Sequence, residues 1–455
     1  MASNDKPPAT YRRERTTHTR QRRPAPDPGA GRLPAPPGSP GGRRFPAARV
    51  PAGLVAGLLA VAISACGGSP RDTASPSAPA PGQGTTGGTA SPAPVPSRAA
   101  GTPSSCADRV LARMTLAQRV GQLFIVGLAG SVLDAATAQA IRAYHFGSVS
   151  FIATDTAGVA GVGAVTRAVQ SLTSPQVTGG ARFFVAANQE GGEVQALQGP
   201  GFARVPSAVA QGMLPPAQLR GLARAWGGEL RAAGVNLNFA PVMDVVPAAD
   251  TSQNAPIGQL MREFGHTPAV VAGHGVAFIR GMTAAGEATT AKHFPGLGRV
   301  RGNTDFSAGV ADTVTTPDDP YLRTFQAAIA AGVPLVMVAL ATYTRIDPRH
   351  LAVFSPVVMR SMLRGRLRFG GVIISDDLGA AQAVASVPPG SRAVQFIVAG
   401  GDLVTSKYAG PAEAMARAVL ARARASRVFL GEVDAAAAHV LAAKQRFGLL
   451  PCSGH

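Results

Sequence analysis

Several things are scarce in this chain. Its 455 residues hold three cysteines, no Cys-x-x-Cys pair and one tryptophan. A structural zinc site needs a set of thiolate or imidazole ligands at short spacing, so none is supported. No GxGxxG turn follows the first strand-like run, and a dinucleotide pyrophosphate would have no glycine cradle there. Acids are few, 25 Asp and Glu against 43 Lys and Arg, which leaves a formal net charge of +18. Such a charge suggests an acidic partner only if it covers a folded face. Eleven of the basic residues and three of the acids lie between Met1 and Cys66, so +8 belongs to the leader and +10 to everything after it. No Lys/Arg block interleaved with aromatics occurs later in the chain, which argues against nucleic acid as a partner. The apolar run Val50 to Ala65 is too short for a spanning helix of ~20 residues.

That run has another reading. Arg43, Arg44 and Arg49 precede it, and it ends at Ile63-Ser64-Ala65-Cys66-Gly67. A basic segment, a short apolar stretch and small residues at a cut site make a secretory signal. A cysteine directly after Ser-Ala resembles the lipobox of bacterial lipoproteins. The resemblance implies that Cys66 is lipidated and tethers an exported protein to the outer face of the cell membrane; a cleaved signal without lipid, or an uncleaved anchor, are the alternatives. Residues 1–66 therefore read as a disordered basic tail followed by a lipoprotein signal peptide. Residues 67–105 are Pro, Gly, Ser, Ala and Thr almost throughout and read as a semi-extended linker. Cys106 and Cys452 bracket the remainder, in position to close its two ends with a disulfide in an oxidising compartment. Two unrelated thiols are the other reading.

From 106 to 455 short apolar runs alternate with amphipathic or Ala-rich stretches. The runs expected as strands are Gln122 to Leu128, Ser148 to Ala153, Phe183 to Ala187, Asn236 to Ala240, Ala288 to Ala291, Leu335 to Ala339, Val372 to Ile374 and Leu403 to Thr405. Between most of them lie helix-like segments such as Leu219 to Ala233 and Val270 to Ala284. Eight strands in alternation with helices predict an α/β fold with a parallel sheet, and the count predicts a (β/α)8 TIM barrel. A doubly wound open sheet is the runner-up. The region is longer than the ~250 residues of a plain barrel, leaving room for long loops and terminal helices.

Polar residues follow the strand-like runs in a regular way. Asn188-Gln189-Glu190 comes after FFVAA, Asp244 after NFAPVM, Lys292-His293 after ATTA, Thr342-Tyr343 after VMVALA and Asp376-Asp377 after GVIIS. In a barrel the C-terminal strand ends converge on one rim, so these segments are expected to share a pocket.

The stretch GEATTAKHFPGLGRVRGNTDFSAGV, Gly286 to Val310, resembles glycoside hydrolase family 3, in particular its single-domain β-N-acetylglucosaminidase branch. GVIISDDLGA, AANQEGGEV, VNLNFAPVMDV, APIGQLMREFG and MTLAQRVGQLFIVG extend the resemblance over the region after Cys106. It implies a retaining mechanism in which Asp376 attacks the anomeric carbon, while Asp377 organises its loop. It also implies that Lys292, His293, Arg262 and Asn188 hold the sugar and that Asp244 orders neighbouring loops. Asn188 stands where the family usually has Asp, and Glu193 where it has Arg.

One departure matters for the chemistry. The branch uses Asp-Ser-His on a mobile loop as its acid/base device, and the aligned triplet here is Asp305-Phe306-Ser307. A serine hydroxyl does not titrate near neutral pH, and loss of a general acid costs ~10² to 10⁴ in rate. Asp305 is the first candidate to take over, with Asp312 and Glu190 behind it. The expected protein is an exported retaining β-N-acetylglucosaminidase acting on cell-wall-derived or other N-acetylglucosamine glycans, with no metal or organic cofactor implied. A glycan-binding envelope lipoprotein that lost turnover, or a β-glucosidase of the same family, are the rivals. His266 and His350 are expected as loop histidines, and Trp226 as a core or interface residue of a helix rather than a sugar-stacking platform.

Overall fold

The computed structural model describes residues 105–452. The expected basic tail, the signal peptide with Cys66, and the linker as far as residue 104 lie outside the described residues. Ser105, assigned to the linker by composition, instead caps the first helix. Its hydroxyl accepts from the Asp108 N–H at 3.1 Å, and the Asp108 carboxylate accepts from the Ser105 N–H at 3.0 Å.

Eight parallel strands close into a barrel: β1 Phe124–Leu128, β2 Ser148–Phe151, β3 Phe184–Ala187, β4 Leu237–Asn238, β5 Ala288–Phe294, β6 Leu335–Val338, β7 Val372–Asp377 and β8 Leu403–Ser406. Each strand pairs with its neighbours in sequence, and β8 closes on β1 with Phe124 opposite Val404 and Ile125 opposite Thr405. These runs form strands because both of their faces are buried and β-branched side chains suit a pleat packed on two sides. Ile125, Phe184, Leu237, Ala288, Leu335, Val372 and Leu403 point inward and form the barrel's own core. Alternate residues such as Phe124, Val126, Val185, Val336 and Ile373 point outward into the larger core beneath the helices.

The eight expected strands are all present, with some ends moved. β1 begins at Phe124 because Gln122 is the last residue of helix Leu116–Gln122. β4 is reduced to Leu237–Asn238, and its pairing toward β5 resumes only at an isolated Val242–Lys292 bridge. β5 and β7 run farther than expected, so Lys292, His293, Asp376 and Asp377 occupy the final residues of strands rather than the loops after them.

The surrounding helices begin two or three residues before the expected Leu219 and Val270, at prolines that suit a first helical turn. Thr267 accepts from the Val270 N–H, and prolines occupy the first turns of Pro216–Ala232, Pro268–Ala284 and Pro389–Val398. Trp226 is buried, its ring 6.4 Å from that of Phe278 on the adjacent helix. Helix Cys106–Arg113 packs on the terminal helix Arg427–Arg446, and a disulfide joins Cys106 to Cys452 with a Cα–Cα distance of 5.8 Å. At the barrel floor Lys444 is fully buried, donating from Nζ to Gln122 Oε1 and to the Gly147 carbonyl at 2.7 Å each. Burial pulls its pKa down to about 7. Among the described residues no helix is long and apolar enough to cross a membrane.

Candidate active site

At the C-terminal ends of the strands lies a pocket of about 270 Å³, slightly below the ~300–1,000 Å³ of drug-sized sites and suited to one sugar ring. Asn188, Arg262, Lys292, His293, Asp305, Asp376 and Asp377 all line it. Two strand irregularities bring consecutive residues to the same cavity. The β5–β6 register shifts between Ala291 and Phe294, and the β7–β8 register shifts between Ile374 and Asp377. Strict alternation would send one member of each pair to the outer face, and a bulge re-aims it.

One wall is built around Glu190, a buried carboxylate. Arg262 grips it with two nearly parallel hydrogen bonds, Nε to Oε2 at 2.8 Å and Nη2 to Oε1 at 2.7 Å. Lys292 Nζ lies 2.5 Å from Glu190 Oε1 and donates to Asn188 Oδ1 at 2.8 Å. Burial alone would raise the Glu190 pKa, but the charges of Arg262 and Lys292 outweigh it and hold the group at about 2. Burial lowers the pKa of Lys292, with Glu190 opposing. Glu190 is therefore a fixed anion that aims two cations into the pocket. It cannot serve as the substitute proton donor.

His293 is set by Asp244. Its Nδ1 lies 2.8 Å from Asp244 Oδ2, and because a carboxylate only accepts, Nδ1 carries the proton and Nε2 is left for the pocket. Asp244 Oδ1 also accepts the N–H groups of His293 and Leu297, at 3.1 and 2.8 Å, which folds the Lys-His-Phe-Pro-Gly turn back on itself. Gly298 completes that turn. A Cβ there would stand 1.8 Å from the Val245 carbonyl oxygen.

Asp376 is half-buried, and its Oδ1 accepts the N–H of Asp377 at 2.8 Å. Asp377 is buried and accepts three backbone N–H groups, from Gly379, Ala380 and Lys407, at 2.9 to 3.0 Å. Burial raises its pKa against those hydrogen bonds. Asp377 thus shapes the loop, while Asp376 keeps a carboxylate oxygen for the cavity.

Not every expected residue reaches the pocket. Tyr343 is buried elsewhere and donates its hydroxyl to the Gly296 carbonyl at 2.7 Å. Asp312 accepts from the Val314 and Thr315 backbones and from the Thr315 hydroxyl, and so belongs to a turn. Ser307 faces a different cavity. His266 lies in a loop against the Val246 carbonyl, as expected, whereas His350 is not a loop residue but part of the short strand Asp347–Leu351, against Asp347. Among the described residues no three of His, Cys, Asp and Glu gather as metal ligands would. A larger groove of about 530 Å³ runs between helices Pro216–Ala232 and Pro268–Ala284, but its polar lining is Arg220, Arg224 and Arg280, with no carboxylate to act as nucleophile.

Lys407 is a pocket residue that the strand-end pattern passed over. It directly follows β8, much as Lys292 and Asp376 lie near the ends of β5 and β7, and its Nζ lies 3.3 Å from Asp305 Oδ2. Its pKa is pulled down by burial but raised overall by Asp305 and then Asp377.

Residues 115–443 match the glycosyl hydrolase family 3 N-terminal domain. A β-hexosaminidase of Stenotrophomonas maltophilia is 37% identical over 232 residues, covering 49% of this chain and 66% of that protein, just under two thirds of its length. The crystal structure of a β-N-acetylhexosaminidase from Beutenbergia cavernae is 47% identical, with a TM-score of 0.71, covering 73% of this chain and 98% of that one. A glycoside hydrolase family 3 β-N-acetylglucosaminidase from Paenibacillus is 30% identical, with a TM-score of 0.68, over 74% of this chain and 63% of that one.

Proposed function

Because this chain belongs to glycosyl hydrolase family 3, with the family's N-terminal domain spanning residues 115–443, we propose that it is a retaining β-N-acetylglucosaminidase. The observation that supports this most is one rim pocket lined by Asp376 together with the Lys292–His293 pair. Asp376 is the nucleophile. Its Oδ1 is held by the Asp377 N–H, which orients the carboxylate for attack on the anomeric carbon. Lys292 and Arg262, both locked on Glu190, bind hydroxyls as charged donors, and Asn188 offers its amide NH2 while its Oδ1 is engaged by Lys292. His293 contributes Nε2. Asp305 lies in the lining at the mouth as the carboxylate that serves proton transfer. The one-ring volume favours removal of terminal sugars, and the hexosaminidase relatives favour N-acetylglucosamine, on cell-wall-derived or other glycans.

The protein is further proposed to be exported and tethered by lipid at Cys66. The Arg43–Cys66 pattern supports this, and the Cys106–Cys452 disulfide suits an oxidising compartment. Aryl N-acetyl-β-glucosaminide hydrolysis, run beside the matching glucoside, tests the activity. Release from the former that vanishes in Asp376→Ala is expected. Tight binding of the sugar with no release at all would instead make the protein a glycan binder, and preference for the glucoside would make it a β-glucosidase.

A further inference from the structure

Glu190, Asp244 and their partners account for one wall of the pocket. Beside the acids of β7 stands Lys407. Its backbone N–H is tied to Asp377 Oδ1 at 2.9 Å, which roots the side chain beside the nucleophile loop. Its ammonium lies 3.3 Å from Asp305 Oδ2 and 3.9 Å from Asp377 Oδ2. Asp305 is held from its own side as well. The carbonyls of Thr304 and Asp305 accept the N–H groups of Ala383 and Gln382 at 3.1 Å each, which stitches the loop to the segment after β7. A carboxylate and an ammonium are thereby fixed together in the cavity that holds Asp376.

Double displacement needs a proton donor when the leaving group departs and a proton acceptor when water attacks. One group with a near-neutral pKa ordinarily does both in turn. An Asp–Lys ion pair cannot alternate in that way, because each charge favours the ionised form of the other. At rest the transferable proton of the pair sits on the Lys407 ammonium, and the Asp305 oxygen 3.3 Å away is placed to accept one. The other charged groups of the pocket are already committed. Lys292 and Arg262 are bound to Glu190, His293 to Asp244, and Asp377 to three backbone amides.

We propose that Lys407 donates the proton to the leaving oxygen and Asp305 deprotonates the attacking water, so that the two half-reactions are divided between the members of this pair. The proposal rests on Asp376 as nucleophile. In the first step an Asp376 oxygen bonds to the anomeric carbon as the glycosidic C–O bond breaks. The bonding pair goes to the leaving oxygen, which takes a proton from Lys407 Nζ and leaves a neutral amine. In the second step water oxygen bonds to the anomeric carbon, Asp376 departs as carboxylate, and Asp305 takes the proton released by water. That proton crosses the 3.3 Å to the Lys407 amine and restores both charges. Transfer from an ammonium is favourable because the oxygen of a departing sugar or alkyl group is more basic than an amine.

The experiment compares the wild type with Lys407→Arg, Lys407→Met and Asp305→Asn, each shown to be folded by circular dichroism. The probes are nitrophenyl and methyl N-acetyl-β-glucosaminides. Arg keeps a cation beside Asp305 but does not release a proton. Both Lys407 variants are expected to lose ~10² to 10⁴ in kcat/KM on the methyl glycoside, and less than about tenfold on the nitrophenyl glycoside, which needs little acid. Asp305→Asn is expected to give a burst of nitrophenol, accumulate the glycosyl-protein and regain turnover with added azide. Wild-type activity of Lys407→Arg on the methyl glycoside would overturn the proposal, as would equal losses of Lys407→Met on both substrates. Failure of the underlying reading looks different: nitrophenol release would survive in Asp376→Ala.

Discussion

Replacing Glu190 with Gln keeps the shape of the side chain and removes the charge on which Arg262 and Lys292 are seated. A carboxylate held at about 2 in the folded protein instead of 4.5 contributes roughly 3 kcal/mol of stability near neutral pH. The sign follows from the depressed folded value. The contribution is present in full above the unfolded value and is lost as pH falls through the folded one. By pH 3 less than half of it is left. The neutral-pH figure agrees with the ~3–5 kcal/mol that follows removal of one partner from a buried ion pair. Urea denaturation of the wild type and Glu190→Gln at pH 7 and pH 3 measures it directly. The expected gap is about 3 kcal/mol at pH 7 and less than half of that at pH 3. A gap below about 1 kcal/mol at pH 7, or one that does not narrow with acid, would mean that the carboxylate is not the charged hub of this wall. In the same variant KM should rise more than kcat falls, because the misdirected cations hold hydroxyls and are not at the bond being broken.

Two further predictions concern the scaffold. Cys106→Ser should cost about 2–5 kcal/mol, seen as a lower melting temperature that the wild type matches once reduced; a melting temperature insensitive to reductant would count against the bridge. Burial holds Lys444 at about 7, below its ordinary value of 10.5, so between those limits the unfolded chain carries more protons and stability rises with pH. Over pH 7.5 to 9.5 the wild type should gain about 1.4 kcal/mol per pH step relative to Lys444→Met, and parallel stability curves would refute this.

The barrel was legible because its signal is local. Most strands are short apolar runs buried on both faces, and helix starts such as Thr267-Pro268 carry their own caps. The shortening of β4 was not legible, since NLNFA reads as a strand until the chain is seen to leave the ladder after Asn238. The pocket was half legible. Polar residues at strand ends mark the rim, and the same rule applied to β8 would have flagged Lys407. What the pattern could not reveal is pairing across distance. Glu190 meets Arg262 over 72 positions and Asp244 meets His293 over 49, and neither partnership leaves a trace in spacing. The bulges that turn Lys292–His293 and Asp376–Asp377 to one side are likewise properties of register between strands. Thr342–Tyr343 shows the opposite error, a strand-end pair whose tyrosine turns into the core to hold the Gly296 carbonyl.

The central claim is that Asp376 shares one sugar ring with Lys292 and His293. Mass spectrometry of the protein, quenched in acid during turnover of a nitrophenyl N-acetyl-β-glucosaminide and then digested, addresses it most directly. One added N-acetylhexosamine on the peptide carrying Asp376, absent in Asp376→Ala, is the expected result. Turnover that leaves this peptide unmodified while the same label appears on another carboxylate would contradict it.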